Sequence, residues 1–102
     1  MSKNRLDLQL ILEKLIGNRN VYFQPPESLK LKYPCIVYEK SKIDKQYADN
    51  YMYLRNNLYS VTVIYQDPDS TLPDKVLNLP YCSFDRHFVA DNLYHDVFEL
   101  YF

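Results

Sequence analysis

The strongest constraint on the fold lies in residues 80–102, where aromatic and β-branched side chains stand on both sides of Asp91-Asn92. Residues of these types favour extended strands. Asn and Asp tolerate the positive φ angles that a two-residue hairpin turn of a primed type needs at both central positions. The segment is therefore predicted to be a β-hairpin, and the rest of the chain has to supply a sheet for it.

A turn at this place also fixes which residues of the hairpin face each other. The predicted pairs are Ala90 with Leu93, Val89 with Tyr94, Phe88 with His95, His87 with Asp96, Arg86 with Val97 and Phe84 with Glu99. Directly opposed side chains share a face of the sheet. Asp85, His87 and Asp96 are thus predicted on one face. Arg86 is predicted diagonal to Glu99 on the other face, where it can form an ion pair or contact a neighbouring subunit.

An N-terminal helix is predicted over residues 4–16, closed by Gly17, the single glycine of the chain. Its core stripe has helical spacing and consists of Leu8, Ile11, Leu12 and Leu15. Leu6 and Leu10 lie on the opposite side, about 160° and 200° from Leu8 at roughly 100° per residue. This second apolar face is either covered by a loop or the N-terminal arm, or it is a subunit contact.

The remaining elements follow from strand patterns and prolines. Extended segments are predicted at 21–24, 33–39 and 58–66, and a short helix begins near Ser70 or Thr71 and is terminated by Pro80. The length of 102 residues fits one domain, 1–102. The predicted fold class is α+β: an antiparallel or mixed sheet of about four to five strands carrying the N-terminal helix, the short second helix and the C-terminal hairpin.

Composition narrows the classes of function. The chain carries 12 basic and 13 acidic side chains, for a net charge of −1, so no strong field attracts nucleic acid or an anionic membrane. Its 11 tyrosines favour an assembly surface, although strands also use tyrosine freely. Cys35 and Cys82 lack the spacing of a zinc or disulfide framework and are predicted to be buried thiols of a cytoplasmic protein. No apolar run has the length of a membrane span, and no secretion signal is predicted.

The segment 40–57 breaks the strand pattern and is predicted to be a long mobile loop. Tyr47, Tyr51 and Tyr53 are interleaved there with basic residues, as in grooves that bind single-stranded nucleic acid. Acidic residues within the segment and the near-neutral net charge argue against that function. Two interpretations remain: a loop that orders on a protein partner, and a solvated loop.

The only cluster that suggests chemistry is the set of Asp85, His87 and Asp96 on one predicted face. A histidine with carboxylates can hold a metal or transfer a proton. Three side chains from one hairpin are few for a metal or catalytic site, however. A cross-strand hydrogen bond between His87 and Asp96 explains the pair equally well. A single glycine also excludes a glycine-rich phosphate loop or a glycine-flanked nucleophile. No catalytic, cofactor-binding or metal-binding residue is therefore predicted, and the protein is not expected to be an enzyme.

Several short motifs occur along the chain in a telling order. They are Tyr22-Phe23-Gln24-Pro25, Tyr33-Pro34-Cys35-Ile36-Val37-Tyr38-Glu39, Asp67-Pro68-Asp69-Ser70, Cys82-Ser83-Phe84-Asp85-Arg86-His87 and Ala90-Asp91-Asn92-Leu93-Tyr94. With the helix, long loop, strand, short helix and hairpin around them, they resemble the tail-completion proteins of long-tailed bacteriophages, also called tail-terminator or head-tail joining proteins. The resemblance covers almost the whole chain, and its motifs are landmarks of a fold.

The resemblance implies a non-enzymatic virion protein that forms a ring, commonly of six copies, on the end of the tail tube. Its expected partners are other copies of itself, the tail tube protein and the head-tail connector protein, without sequence-specific nucleic acid, membrane or cofactor. Its expected location is the host bacterial cytoplasm during assembly and then the virion.

Periodicity and exposure, rather than family motifs, suggest which residues make the contacts. We expect Leu6 and Leu10 to form one side of a subunit contact, Arg86 to contact a neighbour or pair within the hairpin, and the loop tyrosines to reach a neighbour or the tube. These tyrosines are Tyr47, Tyr51 and Tyr53. The alternative is a small phage or bacterial protein-binding or regulatory module that acts as a monomer or dimer.

Overall fold

The computed structural model describes residues 4–41 and 57–102. In chain order the elements are α1 (Arg5–Ile16), β1 (Val21–Phe23), β2 (Cys35–Lys40), β3 (Leu58–Tyr65), α2 (Leu72–Leu77), β4 (Cys82–Ala90) and β5 (Leu93–Tyr101). Within these residues, five strands form one mixed sheet in the order β1-β2-β3-β5-β4. The predicted α+β class is confirmed. The predicted loop 40–57 lies mostly outside the described residues.

The boundaries of α1 follow from its two caps. Asn4 accepts a hydrogen bond from the backbone N–H of Asp7, while the Asp7 side chain accepts from the backbone N–H of Asn4, which completes a capping box. Gly17 adopts a left-handed conformation with φ 82°, and its N–H bonds to the Glu13 carbonyl. Glycine suits this position because it lacks the Cβ that makes positive φ costly. The predicted helix is confirmed with its end at Gly17, and it begins at Arg5, one residue after the predicted start, because Asn4 is the extended N-cap.

The predicted core stripe of α1 is confirmed only in part. Leu8 and Leu12 are fully buried against the sheet, and Leu15 packs at the margin of the same cluster. Ile11, predicted on the stripe, is 37% exposed. The helix rests on the sheet along a line through Leu8 and Leu12, and Ile11 is rotated by roughly 100° from Leu12, toward solvent.

The sheet is antiparallel except at one edge. β1 runs parallel to β2, whereas β2–β3, β3–β5 and β5–β4 are antiparallel. The hairpin turn is confirmed: Asp91 and Asn92 have φ angles of 54° and 63°, as a primed turn requires. Because β5 inserts between β3 and β4, the first strand of the hairpin is left at the edge of the sheet.

A β-bulge in β4 corrects the predicted register. Pairs from Ala90–Leu93 to Arg86–Val97 occur as predicted, but the register then shifts and Phe84 faces Phe98, not Glu99. Asp85 is the extra residue, so it and Arg86 stand opposite one residue of β5. The alternation of faces is reset at this point, which a count from the turn cannot reveal.

The two faces of the sheet differ in what covers them. On one face, buried residues of the central strands pack against Leu8 and Leu12 of α1 and Leu72 and Val76 of α2; they include Ile36, Tyr38, Val61, Val63, Phe98 and Leu100. We call this the helix face. The opposite face, called here the open face, has a smaller cluster of Cys35, Ile64 and Leu93 with Tyr22, Leu31 and Val37 packed against it. Among the described residues, no helix is long and apolar enough to cross a membrane.

Candidate functional site

The most accessible part of the sheet is the edge strand β4. All but its two terminal residues are exposed along nine residues. Phe84, Phe88 and Val89 are 51%, 39% and 60% exposed. An edge strand presents a row of backbone N–H and C=O groups that no further strand of its sheet satisfies, and exposed apolar side chains beside it make pairing with another strand favourable. β4 is therefore a candidate binding edge.

The opposite edge of the sheet, β1, is short and closed. It has three residues, and Pro25-Pro26 follow shortly after it. The backbone of Asn20 and Gln24 bonds to β2, so the Val21 carbonyl points to the outer edge. That carbonyl accepts a hydrogen bond from the Gln9 side chain of α1 at 3.0 Å. The chain thus caps this edge with its own helix.

The open-face side chains of β4 form a connected row. Arg86 donates to the Asp85 carboxylate at 2.7 Å, and its guanidinium lies 5.9 Å from the centre of the Phe88 ring. Phe88 in turn stacks on His95 with ring centres 4.5 Å apart. The pairing of Arg86 with Asp85 replaces the predicted ion pair with Glu99, because the bulge brings the Asp85 carboxylate beside the guanidinium.

The helix face of the hairpin carries a polar network. Tyr65 donates its hydroxyl hydrogen to Asp96 Oδ2 at 2.9 Å, and His87 Nδ1 donates to Asp96 Oδ1. Asp96 is 8% exposed and is the one charged residue buried among the described residues. Burial, and then the hydrogen bond to Asp96, raise the pKa of Tyr65 to about 12. The network ties β4 to β5 and β3, since it joins one residue from each strand.

The predicted pairing of His87 with Asp96 is confirmed, whereas Asp85 does not join them. Asp85 is occupied by Arg86. Among residues 4–41 and 57–102, no group of three or more His, Cys, Asp or Glu side chains could hold a metal ion. A carboxylate that fixes a histidine tautomer is one part of a general-base site, but such a site also needs a nucleophile or substrate cleft at the imidazole. In the fold, the arrangement is a cross-strand anchor of the β4 edge.

The second apolar face of α1 is also exposed. Leu6 and Leu10 are 60% and 65% exposed, one helical turn apart on the side away from the sheet. The predicted separation of these residues from the buried stripe is thus observed. The other predicted contact residues, Tyr47, Tyr51 and Tyr53, lie outside the described residues.

Neither cysteine is placed for reactivity. Cys35 is buried as predicted, whereas Cys82, also predicted to be buried, is only half-buried at the start of the edge strand; both are free thiols. Burial raises the pKa of each thiol to about 11, which disfavours the thiolate that nucleophilic or redox chemistry requires.

Sequence reasoning missed the features that decide which edge is open. The bulge at Asp85 left no local signal, and the capping role of Gln9 depends on a strand twelve residues away. Gln9 also accepts a hydrogen bond from the Tyr38 hydroxyl at 2.6 Å. One sequence signal was available for Gln9: it is a polar residue next to the buried stripe of α1, and such a residue usually has a partner.

No protein-family model matches this chain, and no match to it was found among curated proteins or solved structures. The resemblance to tail-completion proteins therefore depends on the motifs and the order of elements in the chain. What the protein binds is argued below from its exposed surfaces.

Proposed function

We propose that the protein is a tail-completion protein of a long-tailed bacteriophage, which caps the tail tube and joins it to the head connector as a ring of subunits. The observed fold supports this proposal, because the resemblance implies an antiparallel or mixed sheet with helices packed against it. Partners of this kind are recognised through protein surfaces, so the proposal depends on exposed apolar side chains rather than on a cleft.

The observation that carries the proposal is the outer face of α1. Leu6 and Leu10 project from a helix whose opposite side is anchored on the sheet by the fully buried Leu8 and Leu12. An exposed pair of leucines on a well-anchored helix is a rigid contact, because little entropy is lost when a partner covers it. A ring subunit needs such surfaces, since each copy contacts two neighbours.

The test measures solution mass by light scattering over a wide concentration range, with and without a tail tube protein from a long-tailed phage. We expect a ring on its own or on the tube. The double variant Leu6→Asp, Leu10→Asp should lose the ring because it places two carboxylates in an apolar contact. The control Lys30→Asp changes the net charge by the same amount at an exposed position in the connection between β1 and β2, and should keep the ring.

One outcome would contradict the proposed function, and a second would contradict the proposed subunit contact. One is a protein that neither forms a ring nor binds the tube at any concentration, which would favour a protein-binding or regulatory module acting as a monomer or dimer. The other is a ring that the leucine variant leaves unchanged while its folding is intact by circular dichroism, which would place the subunit contact elsewhere.

A further inference from the structure

We propose that β4 pairs antiparallel with β4 of a second copy of this chain, about a two-fold axis that passes between Asp85 and Arg86. The contact would join the two sheets into one continuous sheet. It goes beyond the tail-completion function and does not depend on it, since it uses a different surface from the outer face of α1.

The two edges of the sheet decide which strand can serve as partner. β4 offers nine residues, whereas β1 offers three and its outer carbonyl at Val21 is occupied by Gln9. A head-to-tail contact of β4 with β1 of the next copy would therefore form a short ladder and displace an internal hydrogen bond. An isologous contact of β4 with itself meets neither obstacle.

The bulge selects the register of this contact. In antiparallel pairing about an axis normal to the sheet, opposed residues must point to the same face. Along β4, Phe84 and His87 belong to the helix face, because Phe84 packs on Phe98 and His87 bonds to Asp96. Phe88 belongs to the open face through its stack on His95. The faces therefore do not alternate regularly, and most registers bring residues of opposite faces together.

An axis between Asp85 and Arg86 keeps opposed residues on a common face along eight residues. The resulting pairs are Cys82 with Val89, Ser83 with Phe88, Phe84 with His87 and Asp85 with Arg86, each made twice. A shift by one residue, with the axis at Arg86, opposes Phe84 to Phe88 across different faces. It also sets Arg86 against its own copy. The second strand carries the same bulge in the opposite direction, and the two bulges together keep residues of a common face opposite each other.

Charge complementarity supports the same register. Asp85 and Arg86 already form an ion pair within one chain at 2.7 Å, and their side chains are 37% and 62% exposed. In the dimer each Asp85 would face the Arg86 of the other copy, so the four groups alternate in sign around the axis. Networks of this kind fix register and partner choice more than they add affinity.

The contact joins two copies and no more, because in an isologous contact the β4 edge of each copy is covered by the β4 edge of the other. It is thereby distinguishable from a ring contact through Leu6 and Leu10. The dimer should persist in the Leu6→Asp, Leu10→Asp variant, and its loss in a β4 variant should leave any ring contact through α1 available.

A charge-reversal pair tests the proposal. We expect the wild-type protein to dimerise as its concentration rises in analytical ultracentrifugation. Arg86→Asp should raise the dimer dissociation constant by at least about tenfold, since it opposes like charges across the axis. The double variant Asp85→Arg, Arg86→Asp restores opposite charges in the proposed register and should recover most of the affinity. A monomer at every concentration would overturn the proposal. So would a dimer whose dissociation constant is the same in the wild-type protein and in both variants.

Cross-linking tests the register itself. Ser83 and Phe88 lie five residues apart in one extended strand, too far for an internal disulfide, but they oppose each other across the proposed axis. The double variant Ser83→Cys, Phe88→Cys should therefore give a disulfide-linked dimer on mild oxidation. The single variants should stay largely unlinked, because neither residue faces its own copy. Efficient linkage of a single variant would show a different register and refute the proposed axis.

Discussion

The two edges of the sheet are built in opposite ways. At the β1 edge the strand is short, prolines follow it, and Gln9 of α1 takes up the Val21 carbonyl. At the β4 edge the strand has nine residues, and Phe84 and Val89 are more than half exposed. Natural sheets usually blunt both edges to avoid pairing with other chains. Among the described residues, the β4 edge is blunted by one bulge and one ion pair, and it is therefore the edge available for recognition.

The residues of the two edges also differ in whether they contribute to stability or to binding. The β1 edge is held by the buried Val21 and by the hydrogen bond from Gln9 of α1, so its residues should matter for folding. The β4 edge is anchored to the rest of the sheet by its ladder with β5 and by the network of Tyr65, His87 and Asp96. Its outward side chains should matter for association and little for the fold of one copy.

The largest expected difference is in the free energy of unfolding, between a variant of the buried core and a variant of the exposed β4 edge. Leu12→Ala, on the buried side of α1, should lower the free energy of unfolding by about 2–5 kcal/mol, because it removes a fully buried side chain and leaves a cavity. Val89→Ala, on β4, should change it by less than about 0.5 kcal/mol. Urea denaturation at a low protein concentration, where dimers are not populated, measures both. Equal losses would mean that β4 is buried in the folded monomer.

A smaller loss is expected from uncapping the β1 edge. Gln9→Ala removes the partner of the Val21 carbonyl and one partner of the Tyr38 hydroxyl, and should cost about 1–3 kcal/mol. The exposed position Lys14, mutated to Ala on the same helix, is the control and should cost less than about 0.5 kcal/mol. If the two variants are equally stable, Gln9 does not close this edge.

A loss smaller than that of Gln9→Ala is expected at the anchor of the β4 edge. Tyr65→Phe should cost about 1 kcal/mol at neutral pH, since Asp96 keeps its bond to His87. The ordinary pKa of 10.0 for tyrosine is raised to about 12 in the folded chain, so the unfolded chain releases this proton first as pH rises. The stabilising contribution of Tyr65 is fully present below pH 10 and is lost as pH rises through about 12.

Unfolding experiments from pH 9 to pH 12 test this predicted loss of stability with rising pH. The free energy of unfolding should fall less steeply with pH in Tyr65→Phe than in the wild-type protein over the window between the two pKa values. Burial also raises the pKa values of Tyr38 and Tyr59, so part of the decline should remain in the variant. An identical slope in both proteins would show that Tyr65 is not buried against Asp96.

The sequence by itself determined the elements whose signals are local. The cap at Gly17, the turn at Asp91-Asn92 and the strand alternation from Leu58 to Tyr65 each depend on neighbours a few residues away, and each occurs where the pattern indicates. The exposure of Leu6 and Leu10 also followed from helical geometry, because a helix packed on one side must leave the other side to solvent or a partner.

Only the tertiary structure decided which edge stayed open. The insertion of β5 between β3 and β4, the bulge at Asp85 and the cap from Gln9 to Val21 join residues that are distant in the chain or depend on the twist of the whole sheet. A period-2 count from the turn therefore placed Phe84 opposite Glu99, whereas packing against the core brought it to Phe98. The register beyond a bulge is set by which apolar side chains become buried, and those side chains come into contact only once the sheet has formed.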